Sequence, residues 1–202
     1  MIRSFVFDIG NVLLPFDFGL VSKRLEKYCS TPYSDVSHRI DPLKASYEEG
    51  RIVKAEFVNQ VAALLGFRGT EADLVAAWED IFEDNEPMNR LVRALHGRYP
   101  LYLLSNTSDL HVDFILKRYP IFQCFSDAVY SYRAGCSKPG RAIFEVAACE
   151  FEIAPGETVF IDDLPANVEA ALECGYQAIQ YDFRNHSALL ERLAKLGIRR
   201  DV

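Results

Sequence analysis

Apolar residues run along this chain in two rhythms. Unbroken short runs, such as Phe5-Val6-Phe7, Leu101-Tyr102-Leu103-Leu104 and Thr158-Val159-Phe160-Ile161, read as strands buried on both faces. Between the later runs the period lengthens to that of a helix, over Met88–Arg98, Leu110–Arg118, Arg141–Phe151, Ala166–Cys174 and Ser187–Leu196. Shorter strands are expected at Ala128–Tyr130 and Gln177–Tyr181. From Pro87 onward strand and helix therefore alternate, the pattern of βαβ units and a parallel sheet. The stretch 17–84 is different. Leu20, Val21, Leu25 and Tyr28 recur at helical spacing, then Phe57, Val58, Val61, Leu64 and Leu65, then Leu74, Val75, Trp78 and Phe82. Thr70-Glu71-Ala72-Asp73 has the form of a helix start, with Thr70 as cap and Asp73 at the third position. The first strand, 3–8, has no partner until this helical stretch has passed. The expected fold is α/β, with residues 1–16 and 85–202 forming a parallel-sheet core and 17–84 an all-helical insertion.

The polar residues that end the apolar runs carry the chemistry. Asp8 follows the first strand and precedes a glycine turn; Ser105-Asn106 follows the second long run; Asp162-Asp163 ends the third; Lys138-Pro139 closes a loop between them. In open parallel sheets that edge is where ligands bind. Each station has an ordinary explanation by itself. An Asp caps turns, a Ser-Asn pair caps helices, a lysine is solvated, and an acidic pair suits a helix start. Each also has a chemical one. Asp8 could be a nucleophile or a metal ligand. Ser105 with nearby amides could hold an anion, and Lys138 could neutralise a phosphate. Two adjacent acids repel unless a cation sits beside them, and an oxygen-rich site suits Mg²⁺. Together the four stations favour phosphoryl transfer.

Composition narrows the partners. The net charge of −7 over 202 residues disfavours nucleic acid, and an anionic substrate would need a local cation. Cys29, Cys124, Cys136, Cys149 and Cys174 are odd in number and lack C-x-x-C spacing, which suits reduced thiols in a cytoplasmic protein. No apolar stretch approaches the length of a membrane span, and the N-terminus enters a strand without a signal-peptide pattern. The four histidines have no metal-ligand spacing and read as ordinary surface or core residues, and Trp78 and Phe82 as structural aromatics.

The ordered stations resemble the four motifs of the haloacid dehalogenase-like superfamily. Phe7-Asp8-Ile9-Gly10-Asn11-Val12-Leu13 is similar to the first and Leu103-Leu104-Ser105-Asn106 to the second. Gly135-Cys136-Ser137-Lys138-Pro139 resembles the third, and Phe160-Ile161-Asp162-Asp163-Leu164-Pro165-Ala166-Asn167 the fourth. The inserted bundle looks like that superfamily's helical cap, with Tyr47-Glu48-Glu49-Gly50-Arg51-Ile52 through Phe57 as its substrate-facing segment. The resemblance implies a Rossmann-like sheet and a phospho-aspartyl intermediate on Asp8. It also implies Mg²⁺ held by Asp8, Asp162 and the carbonyl of Gly10, with Asp163 behind, and a phosphate clamp from Ser105, Asn106 and Lys138. The substrate would be a small phosphorylated metabolite such as a sugar phosphate. One departure stands out. Phosphatases of this group usually carry a second Asp, the general acid–base, where this chain has Gly10, though a sugar-phosphate phosphatase-like subgroup shares Asp-x-Gly-Asn-Val. Two other readings remain open: a metal-free dehalogenase using Asp8 at carbon, and a non-catalytic phosphate-binding protein.

Overall fold

Phe5, Val6 and Phe7 are fully buried, because the strand that holds them, β1 (Ser4–Phe7), is sandwiched on both sides and both edges. Its pairing partners come much later in the chain: β2 (Leu101–Ser105) on one edge and β4 (Thr158–Asp162) on the other. β3 (Asp127–Tyr130) and β5 (Gln177–Gln180) complete a five-stranded sheet of order β3-β2-β1-β4-β5, every pair parallel. The computed structural model describes residues 1–198, so the last four residues of the expected core segment 85–202 lie outside it.

Between β1 and β2 the chain is helical, with α1 (Gly19–Leu25), α2 (Tyr33–Glu48), α3 (Lys54–Leu65), α4 (Glu71–Glu79) and α5 (Glu86–Leu95). The first four pack round an apolar cluster of their own, including Val21, Ile40, Phe57, Val61, Leu65 and Trp78, joined from beyond the insertion by Leu110. α4 starts at the expected cap: the Asp73 amide donates to Thr70 Oγ1 at 3.2 Å and the Thr70 amide to Asp73 Oδ2 at 2.9 Å. α2 is the helix that the apolar spacing does not mark. Only Val36, Ile40 and Tyr47 are buried in it, and Pro42 interrupts it.

The later helices α6 (Asp109–Arg118), the single turn α7 (Ser131–Ala134), α8 (Arg141–Glu150) and α9 (Pro165–Glu173) connect the parallel strands, and α10 (His186–Lys195) follows the last of them. Two apolar clusters, one built on Phe5 and Phe7 and the other on Val6 and Phe160, cover opposite faces of the sheet, as alternation along a strand requires. The strand order changes direction at β1. The C-terminal ends of β2, β1 and β4 are therefore neighbours, about 5 Å apart from strand to strand, and open on one crevice. Asp8, Ser105 and Asp162-Asp163 are the residues at those three ends.

Candidate active site

The loop that leaves β1 is folded tightly on itself. The Leu13 and Leu14 amides both donate to the Ile9 carbonyl at 2.9 Å, and the Asn11 amide donates to the Leu14 carbonyl at the same distance. Asn11 takes a left-handed backbone (φ 53°), which asparagine tolerates better than most residues. Its side chain donates to Asp163 Oδ2 at 3.0 Å, tying the first loop to the last. From the far side, Asn85 caps α5 and donates to the Val12 carbonyl at 2.7 Å. Gly10 has no room for a side chain: a Cβ there would come within 2.8 Å of the Phe16 ring.

Lys138 reaches across the sheet edge and is only 4 % exposed. Its ammonium donates to Asp162 Oδ2 at 2.6 Å, to Asp8 Oδ1 at 2.9 Å and to the Leu104 carbonyl at 2.8 Å. All three ammonium hydrogens thus have a partner. Asn106 holds the backbone beneath it, donating to the Lys138 carbonyl at 2.8 Å and accepting from the Lys138 amide at 2.8 Å. Burial alone would lower the lysine pKa, but the coulombic pull of Asp8 and Asp162 outweighs it and the net direction is upward. Burial pushes Asp8 the other way, up to about 7, with Lys138 opposing and Asp162 adding to the rise.

Asp162 and Asp163 are adjacent in sequence and face different surroundings. Asp162 is fully buried. Its oxygens are taken by Lys138, by Asn167 Nδ2 at 3.0 and 3.1 Å, and by the Leu164 amide at 2.9 Å. Asp163 lines the crevice instead. A carboxylate oxygen from each of Asp8, Asp162 and Asp163 lies within 4.8 Å of the others. Three carboxylates against one ammonium leave a formal charge of −3 + 1 = −2. A desolvated oxygen-rich cluster of that charge fits a hard divalent cation. Asp163 opens on the crevice, whereas Asp162 is committed to Lys138, Asn167 and the Leu164 amide.

Asp8, Gly10, Ser105, Asn106, Lys138 and Asp163 line one cavity of about 240 Å³. The first turn of α6 follows Ser105-Asn106-Thr107, so a helix N-terminus lies just beyond them. Much of the rest of the wall was not marked by the sequence, Glu48 in the expected substrate-facing segment excepted. Phe16, Phe18, Ile81 and Phe82 form its apolar part, and Lys44, Glu48 and His111 its polar part. His111 and Phe82, which read as ordinary residues from spacing alone, are thus wall residues of the cavity. A compositional pattern could not have shown this, because wall and core aromatics look alike in sequence.

The end of α2 is stitched to the core beside the cavity. The Tyr47 hydroxyl donates to Asp109 Oδ1, and the Ser131 hydroxyl donates to the Glu48 carbonyl while accepting from the Thr107 amide at 2.9 Å. The Ser137 hydroxyl donates to Glu49 Oε1 at 2.7 Å, one residue before Lys138.

A parallel sheet with a nucleophile-capable carboxylate at its switch point and a helical insertion behind that carboxylate defines a hydrolase class. The chain belongs to the haloacid dehalogenase-like hydrolases, whose family model matches residues 2–175. It is similar to the D-ribitol-5-phosphate phosphatase of Bacteroides thetaiotaomicron, with 27% identity over 193 residues, covering 89% of this chain and 92% of that protein. Among solved structures it resembles a HAD family enzyme of the same organism in complex with magnesium and inorganic phosphate, with TM-score 0.80 and 27% identity over 89% of this chain and 94% of that one. A HAD-like family hydrolase of Porphyromonas gingivalis superposes with TM-score 0.83 and 28% identity over 96% and 98% of the two chains. The L-2-haloacid dehalogenase of Xanthobacter autotrophicus shares the fold, with TM-score 0.68 at 17% identity. Two other features agree with the sequence: all five cysteines are free, and no helix among the described residues is long and apolar enough to cross a membrane.

Proposed function

We propose that this chain is a Mg²⁺-dependent phosphatase that removes the phosphoryl group of a small hydroxylated metabolite, a sugar or polyol phosphate, through an aspartyl-phosphate on Asp8. The observation that carries this reading is the joining of Asp8 and Asp162 by the buried ammonium of Lys138, with Asp163 open to the same cavity. A displacement at carbon without a metal has no use for that acidic trio. The phosphatase relative and the neighbour holding magnesium and phosphate support the same direction.

The residues divide the work as follows. Asp8 attacks phosphorus, forming the Asp8–phosphorus ester bond as the bond to the leaving oxygen breaks. Lys138 fixes the Asp8 carboxylate and lies beside the phosphoryl oxygens, where it takes up charge that grows in the transition state. Ser105, its neighbouring amides and the start of α6 hold the oxygens on the other side. Asp8, the Gly10 carbonyl, Asp163 and, behind them, Asp162 would hold Mg²⁺, which when bound offsets the charge of the phosphoryl oxygens. Water then cleaves the acyl phosphate and releases free Asp8 and inorganic phosphate. Position 10 supplies no acid, so the leaving oxygen draws its proton from elsewhere. A volume of about 240 Å³ lies below the usual range of drug-sized sites, about 300–1,000 Å³, so a compact ester fits better than a nucleotide.

The test is phosphate release from an aryl phosphate and a polyol phosphate, with Mg²⁺ and with a chelator. Release requiring Mg²⁺ and lost in Asp8→Asn is the expected result. Chelator-resistant turnover, or an Asp8→Asn enzyme as fast as the wild type, would overturn it.

A further inference from the structure

His111 is 5 % exposed, and its ring is clamped between Phe82, edge-on at 5.1 Å between centroids, and Phe18 at 6.4 Å. Nε2 lies 3.1 Å from the Trp78 carbonyl. A carbonyl can only accept, so Nε2 carries the hydrogen. Burial lowers the pKa of the ring to about 4, and it is therefore neutral. Nδ1 is then a bare acceptor. Nδ1 has no hydrogen-bond partner among the described residues, and the ring it belongs to lines the cavity. A nearly buried acceptor facing a cavity awaits a donor.

Two more polar groups stand on the same part of the wall. Lys44 and Glu48 lie one turn apart on α2, their charged ends separated by 3.7 Å. The Lys44 ammonium rests 4.1 Å from the centre of the Phe18 ring, the same ring that flanks His111. The wall thus offers a cationic donor, an anionic acceptor and a neutral acceptor, interleaved with aromatic faces. Lys44 and Glu48 cancel, so the patch has no net charge. A second phosphate or a carboxylate would meet Glu48, and an amine would meet Lys44. Hydroxyl groups, each donor and acceptor at once, satisfy all three, while the carbons between them lie on Phe18 and Phe82.

We propose that His111, Lys44 and Glu48 form a hydroxyl-reading subsite that selects esters whose leaving group is a short, uncharged, polyhydroxylated chain. The subsite rests on the phosphatase reading of Asp8 and Lys138, and it assigns the residues that meet the hydroxylated half of the substrate. None of the three residues belongs to the four ordered stations at the strand ends.

The measurement is kcat/KM for ribitol 5-phosphate against 1-pentyl phosphate, a chain of equal carbon number without hydroxyls, with an aryl phosphate alongside. A site built to bind hydroxyls rejects an analogue lacking them strongly, because its own polar groups go unpaired. The wild type is expected to prefer the polyol ester by at least about a hundredfold. His111→Leu and Lys44→Met should each lower that ratio about tenfold or more, a loss of the size expected for one hydrogen bond to a buried or charged partner. Lys44 is half-buried, so Lys44→Met tests the idea even if His111→Leu fails to fold. A wild-type ratio near one, or variants in which both esters slow equally with the ratio unmoved, would overturn the subsite. A wild type that releases phosphate from none of the three esters would overturn the phosphatase reading instead.

Discussion

Lys138 shows how one side chain sets the charge of a whole site. It is the common partner of two carboxylates that would otherwise repel each other out of water. Lys138→Met keeps the length of the stem and removes the charge. Breaking a buried ion pair from one side typically costs about 3–5 kcal/mol, so the variant should unfold at markedly lower denaturant concentration. Its phosphatase rate should fall by about 10²–10³, the loss seen when one donor to a developing charge is removed. A variant with wild-type stability would show that Asp8 and Asp162 do not need that ammonium. His111 makes a different residue-scale prediction. Its folded pKa of about 4 lies below the ordinary 6.5, so the unfolded chain takes up the proton first. The stability tied to the neutral ring is complete above about pH 6.5, falls as the pH drops from there to about 4, and amounts to about 3 kcal/mol. The difference in unfolding free energy between wild type and His111→Gln should therefore shrink across that interval. A difference independent of pH would mean that the ring titrates alike in the folded and unfolded chain.

At the scale of elements, β1, β2 and β4 were plain in the sequence, since unbroken apolar runs bounded by a single polar residue have few alternatives. That the first strand pairs only with strands beyond the helical insertion was also legible, whereas the strand order is seen only in the folded chain. The residues at their ends could be named for the same reason: a strand end has one position, and chemistry at that position is easy to see. α2 was not legible. It buries three apolar residues in sixteen and contains Pro42, so its apolar spacing is weak. Yet it brings Lys44 and Glu48 to the cavity, and its C-terminal end is bonded to Asp109, Ser131 and Ser137. The roles of Asn11 and Asn167 were also hidden. Asparagine in a loop or a first helical turn has many local uses, and only the folded chain shows that Asn11 and Asn167 both bond to the acidic pair. Just after α2, Gly50 adopts φ 68°, and a Cβ there would collide with the Tyr132 carbonyl. Gly50→Ala should cost about 2 kcal/mol, or about 4–8 °C in Tm, and raise KM by loosening the join. An alanine variant with unchanged Tm and KM would show that α2 can take another path to the core.

For the molecule as a whole, charge is the organising quantity. A chain of net charge −7 places a formal −2 at a crevice lined by buried acids and is expected to receive an anion there. The arrangement becomes favourable only with a divalent cation in place. Mg²⁺ should accordingly stabilise the entire fold, by about 2.7 kcal/mol at a hundred times its Kd, which corresponds to about 5–11 °C in Tm. Asp163→Asn should remove most of that shift. A melting temperature indifferent to Mg²⁺ would argue that Lys138 alone balances the acids.

The ring of Phe16, wedged where a side chain at position 10 would begin, couples the two positions. Phe16 is held in turn edge-on by Phe18, at 5.5 Å, and by Phe82, at 6.2 Å, so it does not swing aside freely. Introducing an acid by Gly10→Asp alone therefore meets a collision before it meets a substrate. The two positions are epistatic: the carboxylate becomes tolerable only after the aromatic has shrunk, and a smaller residue at 16 gains nothing while 10 is still glycine. Gly10→Asp should lower stability and turnover, whereas Gly10→Asp with Phe16→Val should fold and selectively quicken alkyl esters, whose leaving oxygens need a proton most.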